Sequence, residues 1–274
     1  MPRLAVLGQP VSHSRSPAMQ TAALVELGLA GEWSYEAIEV APGDFGELVR
    51  SLPGEGFAGV NVTVPHKLAA LALADSASEA ARGIGAANTL SFAGSQIRAE
   101  NTDGVGLIEA LPEPANGRRA LVLGAGGAAR ACAWALKGAG AQVSIWNRGA
   151  ERAAAVAAEL GVGAIERVET GEFELLVNCT TVGLEQANRA EQSGPALKGL
   201  PLDADSISER QIVVDLVYGS RPTPLVALAG GKGASVVDGL EILVRQGAAS
   251  LRIWTGREPS IATMRNAARE QRHR

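Results

Sequence analysis

Cysteine is scarce: Cys132 and Cys179 are the only two in 274 residues. Two thiols that far apart make neither a disulfide framework nor a metal-ligand cluster. Both lie in apolar stretches, where a thiol behaves as a small hydrophobe, and a reducing cytoplasm is the simplest setting. There is no excess of positive charge either. The net charge of −4 argues against nucleic acid as a bulk partner, so an anionic ligand must be held by a few Lys or Arg or by helix N-termini. Long apolar runs are missing, which excludes a membrane-spanning helix. No secretory signal pattern precedes the apolar stretch Leu4–Gly8. Long repeats and low-complexity tracts are absent. What remains, 46% hydrophobic and 20% charged residues, describes a globular, cytoplasmic protein of one large or two ordinary domains.

The stretch Val60–Lys67 organises the rest. Val60, Val62 and Val64 alternate with Asn61 and Thr63, which is strand periodicity. Pro65 cannot donate to a ladder and suits the first turn of a helix, which Leu68–Ala74 continues. Lys67 then lies in a first helical turn, where the helix dipole disfavours an ammonium. It is either a solvated surface lysine or a lysine at a strand's carboxyl end used in proton transfer.

Before it, Leu4–Gly8 reads as a strand and Ser16-Pro17 as an N-cap with the first helical residue, opening a helix to about Leu27. Trp33–Val40 reads as a strand and Asp44–Leu52 as a short helix. After it, Asn88–Phe92 and Ile97–Asn101 form a hairpin around Gly94, and Thr102-Asp103-Gly104 opens a helix to about Leu111. Pro112–Gly117 is the strongest linker. A second alternation follows. Ala120–Leu123, Val143–Trp146, Leu175–Cys179 and Ile212–Leu216 are predicted strands, and Arg130–Lys137 and Glu151–Leu160 predicted helices. The fully apolar later strands suit a parallel sheet covered on both faces. Glu185–Gly194 is predicted as a loop, Leu240–Trp254 as a long helix and Arg265–Arg274 as a fraying tail. The fold class is α/β.

Four features carry chemistry. Gly124-x-Gly126-x-x-Ala129, between a strand and a helix, is a dinucleotide-binding turn. At the end of the next strand stand Asn147-Arg148 and no acid, which favours the 2′-phosphate of NADP over NAD; Arg152 adds a second cation one turn on. Ser14 and Ser16 face one side of an extended loop ahead of a helix, a neutral site fit for a carboxylate. Asp103 either caps its helix or partners Lys67. Gln246 falls on the stripe of Ile242, Ala249 and Ile253, so its amide needs a partner, either backbone or a substrate hydroxyl. His13 and His66 are lone histidines and are not assigned to catalysis.

These features, in this order, resemble the shikimate dehydrogenase family over nearly the whole chain. The resemblance rests on Ser12–Pro17, Asn61–Lys67, Gly85–Leu90, Asn101–Gly104, Gly124–Arg130, Asn147-Arg148, Asn178–Gly183, Val217-Tyr218 with Thr223–Leu225, Asp238–Leu240 and Gln246–Ala248. It implies two α/β domains with the active site in the cleft between them. A discontinuous substrate domain would span residues 1–104 and 239–274, and a Rossmann-type NADP domain residues 105–238. It implies that Ser14, Ser16 and Tyr218 hold the substrate carboxylate, and that Thr63, Asn88, Asp103 and Gln246 hold ring hydroxyls. Lys67 and Asp103 would be the acid/base pair. Gly124, Ala125, Gly126, Gly127, Ala128, Asn147, Arg148, Arg152, Val217 and Gly239 would bind NADP. No metal is implied, and the chain would be a monomer or homodimer. Departures from the family pattern are Gly149 in place of Thr, Glu241-Ile242 in place of Gly-Met, and Arg245 beside Gln246. The Gly149 departure admits a quinate/shikimate dehydrogenase that accepts NAD; a non-catalytic shikimate-binding sensor is the rival from another class.

Overall fold

The computed structural model describes residues 1–188 and 197–270. The chain divides into two units, Met1–Gly106 with Leu243–Arg274, and Leu107–Ile242. The first unit begins with β1 (Arg3–Gly8), α1 (Ser16–Glu26), β2 (Ser34–Glu39), α2 (Phe45–Ser51), β3 (Phe57–Val62), α3 (Lys67–Leu73), β4 (Ser76–Ala77) and α4 (Glu79–Ile84). The hairpin β5 (Thr89–Ala93) and β6 (Gln96–Glu100) follows, and then α5 (Asp103–Ala110). The sheet order is β2-β1-β3-β5-β6-β4. β1 pairs in parallel with β2 and β3, while β3 with β5 and β5 with β6 are antiparallel. The sheet is therefore mixed. Leu7, Val60, Val62 and Leu90 face Phe45, Val49 and Leu52 in one apolar cluster.

Two expectations at helix starts need correction. Ser16 is the first helical residue rather than the cap, and Arg15 holds the cap position without a side-chain bond to the helix N-terminus. The reason is local: the Ser14 hydroxyl already accepts the Ser16 N–H at 3.3 Å, and Pro17 has no N–H to satisfy. Pro65 precedes its helix instead of entering it. β3 stops at Val62, Thr63 N–H still donates to Leu7 O at 2.8 Å, and His66 N–H donates back to Thr63 O at 3.0 Å. That turn delays the helix to Lys67, with His66 at the cap position. The close pass of Thr63 explains Gly8, because a Cβ there would fall on the Thr63 side chain.

The second unit holds β7 (Arg119–Leu123), α6 (Gly127–Gly138), β8 (Gln142–Trp146), α7 (Ala150–Leu160), β9 (Gly163–Ala164), β10 (Leu175–Asn178), α8 (Leu184–Asn188), β11 (Ile212–Asp215), α9 (Pro224–Gly231) and β12 (Ser235–Val237). Its order is β12-β11-β10-β7-β8-β9, and every pair is parallel. Alternate strand residues enter two cores. Val122, Ile145, Val177 and Val214 pack with Ala133, Leu136 and Val156, while Leu121, Leu123, Leu176 and Val213 pack with Leu225 and Ala229. Both faces are covered, which is why these strands read as unbroken apolar runs. The winding reverses at β7, so the glycine-rich turn after β7 sits at the topological switch point. The predicted loop at Glu185–Gly194 is corrected at its start, where α8 runs to Asn188; residues 189–194 lie outside the described residues.

Two helices close the chain, α10 (Gly239–Thr255) and α11 (Ile261–Glu270). The expected fraying tail is a helix as far as Glu270, because Met264 and Ala268 are buried and the Arg15 guanidinium donates to Ala268 O at 3.2 Å. Residues 271–274 lie outside the described residues. The C-terminal end of α10 lies on β3 and β5. Trp254 Nε1 donates to Leu90 O at 3.1 Å, and a Cβ on Gly59 would collide with the Trp254 indole and with Leu90 O. Gly59→Ala is therefore expected to cost ~2 kcal/mol or more through overpacking, seen as a lower unfolding midpoint in urea. A midpoint equal to wild type would contradict this packing. Among the described residues no helix is long and apolar enough to cross a membrane.

Candidate active site and cofactor site

Within the first unit, four residues remote in sequence converge by hydrogen bonding. Lys67 opens α3 and Asp103 opens α5; Lys67 Nζ donates to Asp103 Oδ2 at 2.5 Å, with only 13% and 9% of the two side chains exposed. Asn88 stands just before β5. Its Nδ2 donates to Asp103 Oδ1 at 2.8 Å and to Gln246 Oε1 at 3.1 Å. Gln246, from α10, donates through Nε2 to Leu243 O at 2.7 Å. Both oxygens of Asp103 are thus engaged, one by a cation and one by an amide.

The local fold explains how Asp103 comes to be available. Its main-chain N–H is taken by Asn101 Oδ1 at 3.1 Å, and Asn101 is itself anchored through Nδ2 to Ala86 O at 2.8 Å. Asn101 therefore does the capping, and the Asp103 carboxylate is left for Lys67. That carboxylate also offsets the unfavourable placement of an ammonium in a first helical turn. The surface-lysine alternative fails on burial. His66 is buried, with its ring stacked on Phe45 at 4.5 Å and Nε2 2.9 Å from Val40 O, a structural role.

The remaining expected substrate residues are less tightly joined. Ser14 and Ser16 meet through the single bond already described. Thr63 is half-buried at the end of β3. Tyr218 belongs to the second unit, just after β11. Sequence reasoning missed a set of buried polar residues behind Asn88, namely Tyr35, Thr89, Thr102 and Ser250. One signal was present, because Ser250 follows Gln246 by one helical turn and so shares its face.

The second unit carries the features expected of a dinucleotide site. Gly124 has φ 115, and a Cβ there would lie 3.3 Å from Cys179 O. Gly126 caps α6 in an extended conformation, leaving the main chain of Gly126 and Gly127 bare at a helix N-terminus, as a pyrophosphate requires. Arg148 and Arg152 are exposed on either side of the α7 N-terminus, and among the described residues neither forms an ion pair. Gly239 cannot carry a side chain, since a Cβ would strike the main-chain carbonyls of Leu216 and Val217.

Asp215 ends β11 fully buried. It accepts hydrogen bonds from Thr223 Oγ1 at 2.6 Å, Asn178 Nδ2 at 2.9 Å and Val217 N at 3.0 Å. Burial pushes its carboxyl up to about 6, against the pull of those donors. Among the described residues no cluster of three or more His, Cys, Asp or Glu suits a metal.

Models of the shikimate dehydrogenase substrate binding domain, of shikimate / quinate 5-dehydrogenase and of the shikimate 5'-dehydrogenase C-terminal domain match residues 6–90, 107–182 and 239–269. An NADP-dependent shikimate dehydrogenase of Thermus thermophilus is 45% identical over 276 residues, covering 98% of each chain. This chain belongs to the shikimate dehydrogenase family. The crystal structure of a Thermus thermophilus shikimate 5-dehydrogenase in complex with NADP(H) and shikimate superposes with a TM-score of 0.88. It is 43% identical over 98% of this chain and 99% of that one. A Listeria monocytogenes shikimate 5-dehydrogenase in complex with shikimate and NAD gives a TM-score of 0.83 at 27% identity, over 97% and 96% of the chains.

Two departures from the shikimate dehydrogenase pattern have structural accounts. Glu241 N–H donates to Asp238 Oδ1 at 3.0 Å, so Asp238 caps α10 and Glu241 adds favourable negative charge in the first turn. Ile242 is buried in the core of the second unit. Gly149 caps α7 without a side chain, while Asn147 Nδ2 donates to its carbonyl at 3.1 Å.

Proposed function

We propose that this chain catalyses the reversible NADPH-dependent reduction of 3-dehydroshikimate to shikimate, a step toward the aromatic amino acids. The observation that carries this reading is the buried Lys67–Asp103 pair joined to Asn88 and Gln246. Ser14 and Ser16, with Tyr218, hold the substrate carboxylate. Thr63, Asn88, Asp103 and Gln246 hold ring hydroxyls, which take the place of the bonds these side chains make to one another. Residues 1–104 with 239–274 serve the substrate, and residues 105–238 the cofactor.

The residues of the second unit fit NADP. The bare glycine turn at the start of α6 suits the pyrophosphate, and the exposed Arg148 and Arg152 suit the 2′-phosphate. Ala125, Ala128 and Asn147 complete that wall, while Val217 and Gly239 line the nicotinamide side. When bound, the cofactor exchanges a hydride with the carbon bearing the reacting oxygen. Lys67 supplies the proton to that oxygen in reduction and stabilises its developing negative charge. Asp103 holds the Lys67 ammonium in place and accepts from the neighbouring hydroxyl. The protein would work in the cytoplasm as a monomer or homodimer, without nucleic acid or membrane.

The test is the reduction of NADP and of NAD, each with shikimate and with quinate. Turnover confined to shikimate and NADP supports the reading. Turnover with none of the pairs overturns it in favour of a sensor. A second reading, with NAD or quinate accepted, draws on Gly149 and on the NAD-bound relative. The two are separated by Arg148→Ala, which should raise KM for NADP about tenfold by loss of a charged contact and leave KM for NAD unchanged. An equal effect on both cofactors would remove Arg148 from 2′-phosphate recognition.

A further inference from the structure

Behind Asn88 lies a chain of buried polar groups whose proton directions can be worked out. Asn88 Oδ1 accepts the main-chain N–H of Thr102 at 2.8 Å. A main-chain N–H only donates, so this contact fixes the amide, with Nδ2 toward Asp103. The same Nδ2 lies 2.9 Å from Thr102 Oγ1 and 3.1 Å from Gln246 Oε1; with one proton on Asp103, its second is shared between these two oxygens, and since an amide nitrogen does not accept, Thr102 Oγ1 is on the receiving side. The Thr102 hydroxyl proton must then point elsewhere. Ser250 Oγ, 3.1 Å away, is the nearer of the two oxygens in reach, Asn88 Oδ1 lying at 3.2 Å. The Ser250 proton is itself committed to Gln246 O at 3.0 Å, so Ser250 is left as an acceptor.

Further bonds close the arrangement. Asn61 Nδ2 donates to Ser250 Oγ at 3.0 Å, and Asn61 Oδ1 accepts from Tyr35 OH at 2.8 Å. Thr89 Oγ1 has one proton and two oxygens in reach, Asn88 Oδ1 at 3.0 Å and Ser250 Oγ at 2.8 Å. The contact between Thr102 Oγ1 and Asn88 Oδ1 is longer, at 3.2 Å. Thr102 and Ser250 are 3% and 0% exposed, so neither hydroxyl is open to bulk water. Asn88, Thr102, Ser250 and the Gln246 main chain are joined in that order, by contacts of 2.9, 3.1 and 3.0 Å.

We infer that Thr102 and Ser250 are positioning residues that lock the Asn88 amide toward Asp103, acting in series with Ser250 behind Thr102. Neither is assigned to substrate or cofactor. The inference rests on the dehydrogenase reading above, because its consequence is a rate.

Four variants test it: Thr102→Val, Thr102→Ser, Ser250→Ala and the double Thr102→Val/Ser250→Ala. Thr102→Val should lower kcat about tenfold with KM for NADP unchanged, while Thr102→Ser, which keeps the hydroxyl, stays within about twofold of wild type. Ser250→Ala should lower kcat about threefold, and the double variant should lose no more than Thr102→Val alone, because residues in series are not additive. Multiplicative losses in the double variant would overturn the serial arrangement. A Ser250→Ala enzyme with wild-type kcat would overturn the role of Ser250. Alanine is the best helix former, so that variant folds even if Thr102→Val does not. An inactive wild type would fail the dehydrogenase reading instead, whereas an active wild type with unchanged variants fails only this inference.

Discussion

Lys67→Ala should lower kcat by about a thousandfold, with KM for shikimate changed less than about tenfold. The asymmetry follows from when charge appears. The substrate oxygen is neutral in the ground state and becomes an alkoxide as hydride arrives, so the ammonium is worth most in the transition state. The site heightens this, because Lys67 Nζ lies 2.5 Å from Asp103 Oδ2 and both side chains are largely excluded from water. Folding should survive the substitution, since Asp103 Oδ1 keeps its bond from Asn88 at 2.8 Å and the start of α3 loses an unfavourable charge. Lys67→Arg separates the two duties of the lysine. A guanidinium keeps the charge but does not release a proton in proteins, so it should restore substrate affinity without restoring the rate. The checks are initial rates followed by reduced-nicotinamide absorbance and shikimate binding by calorimetry. A Lys67→Ala enzyme with kcat within tenfold of wild type would take Lys67 out of the mechanism.

The local pattern of a β-branched run, a proline and an alanine-rich helix placed Lys67 in a first helical turn but left a surface lysine open; its burial and its pairing with Asp103 are seen only in the fold. The parallel sheet of the second unit was legible more directly. Leu175–Asn178 and Ile212–Asp215 are buried on both faces, so their sequences are unbroken apolar runs. Helix starts were read less well, because the main chain around Ser16 and Pro65 is settled by the Ser14 hydroxyl and by the Thr63–His66 turn, neither of which leaves a periodic trace. Least legible was the polar network behind Asn88. Asn61, Thr89, Thr102 and Ser250 come from three strand or loop segments and a helix nearly 150 residues later in the chain. Each taken alone reads as an ordinary polar residue. Only folding shows that all are buried and that each supplies what the next lacks. The short strands at Ser76–Ala77 and Gly163–Ala164 were also missed, being too short to show alternation.

The second large effect concerns Asp215. Asp215→Ala should destabilise the protein by ~3 kcal/mol or more, because the Asn178 amide, the Val217 N–H and the Thr223 hydroxyl all lose their acceptor inside the protein. Those three donors come from the end of β10, the segment after β11 and the cap of α9, so three chain segments loosen together. Asp215→Asn behaves differently. Its Oδ1 can still accept from Val217 and Asn178, and no charge is buried. The sign of the pH dependence follows from the carboxyl, whose folded value of about 6 lies above the ordinary 3.8. Between those values the folded state binds the extra proton, so stability falls as pH rises through this window. The contribution is fully present below about pH 4, and about 3 kcal/mol of it is gone once pH exceeds 6. Urea unfolding at pH 4.5 and 7.5 should show this loss in wild type beyond that of Asp215→Asn, whose profile lacks the step. The same pH dependence in both proteins would mean that the buried carboxyl does not titrate in this window.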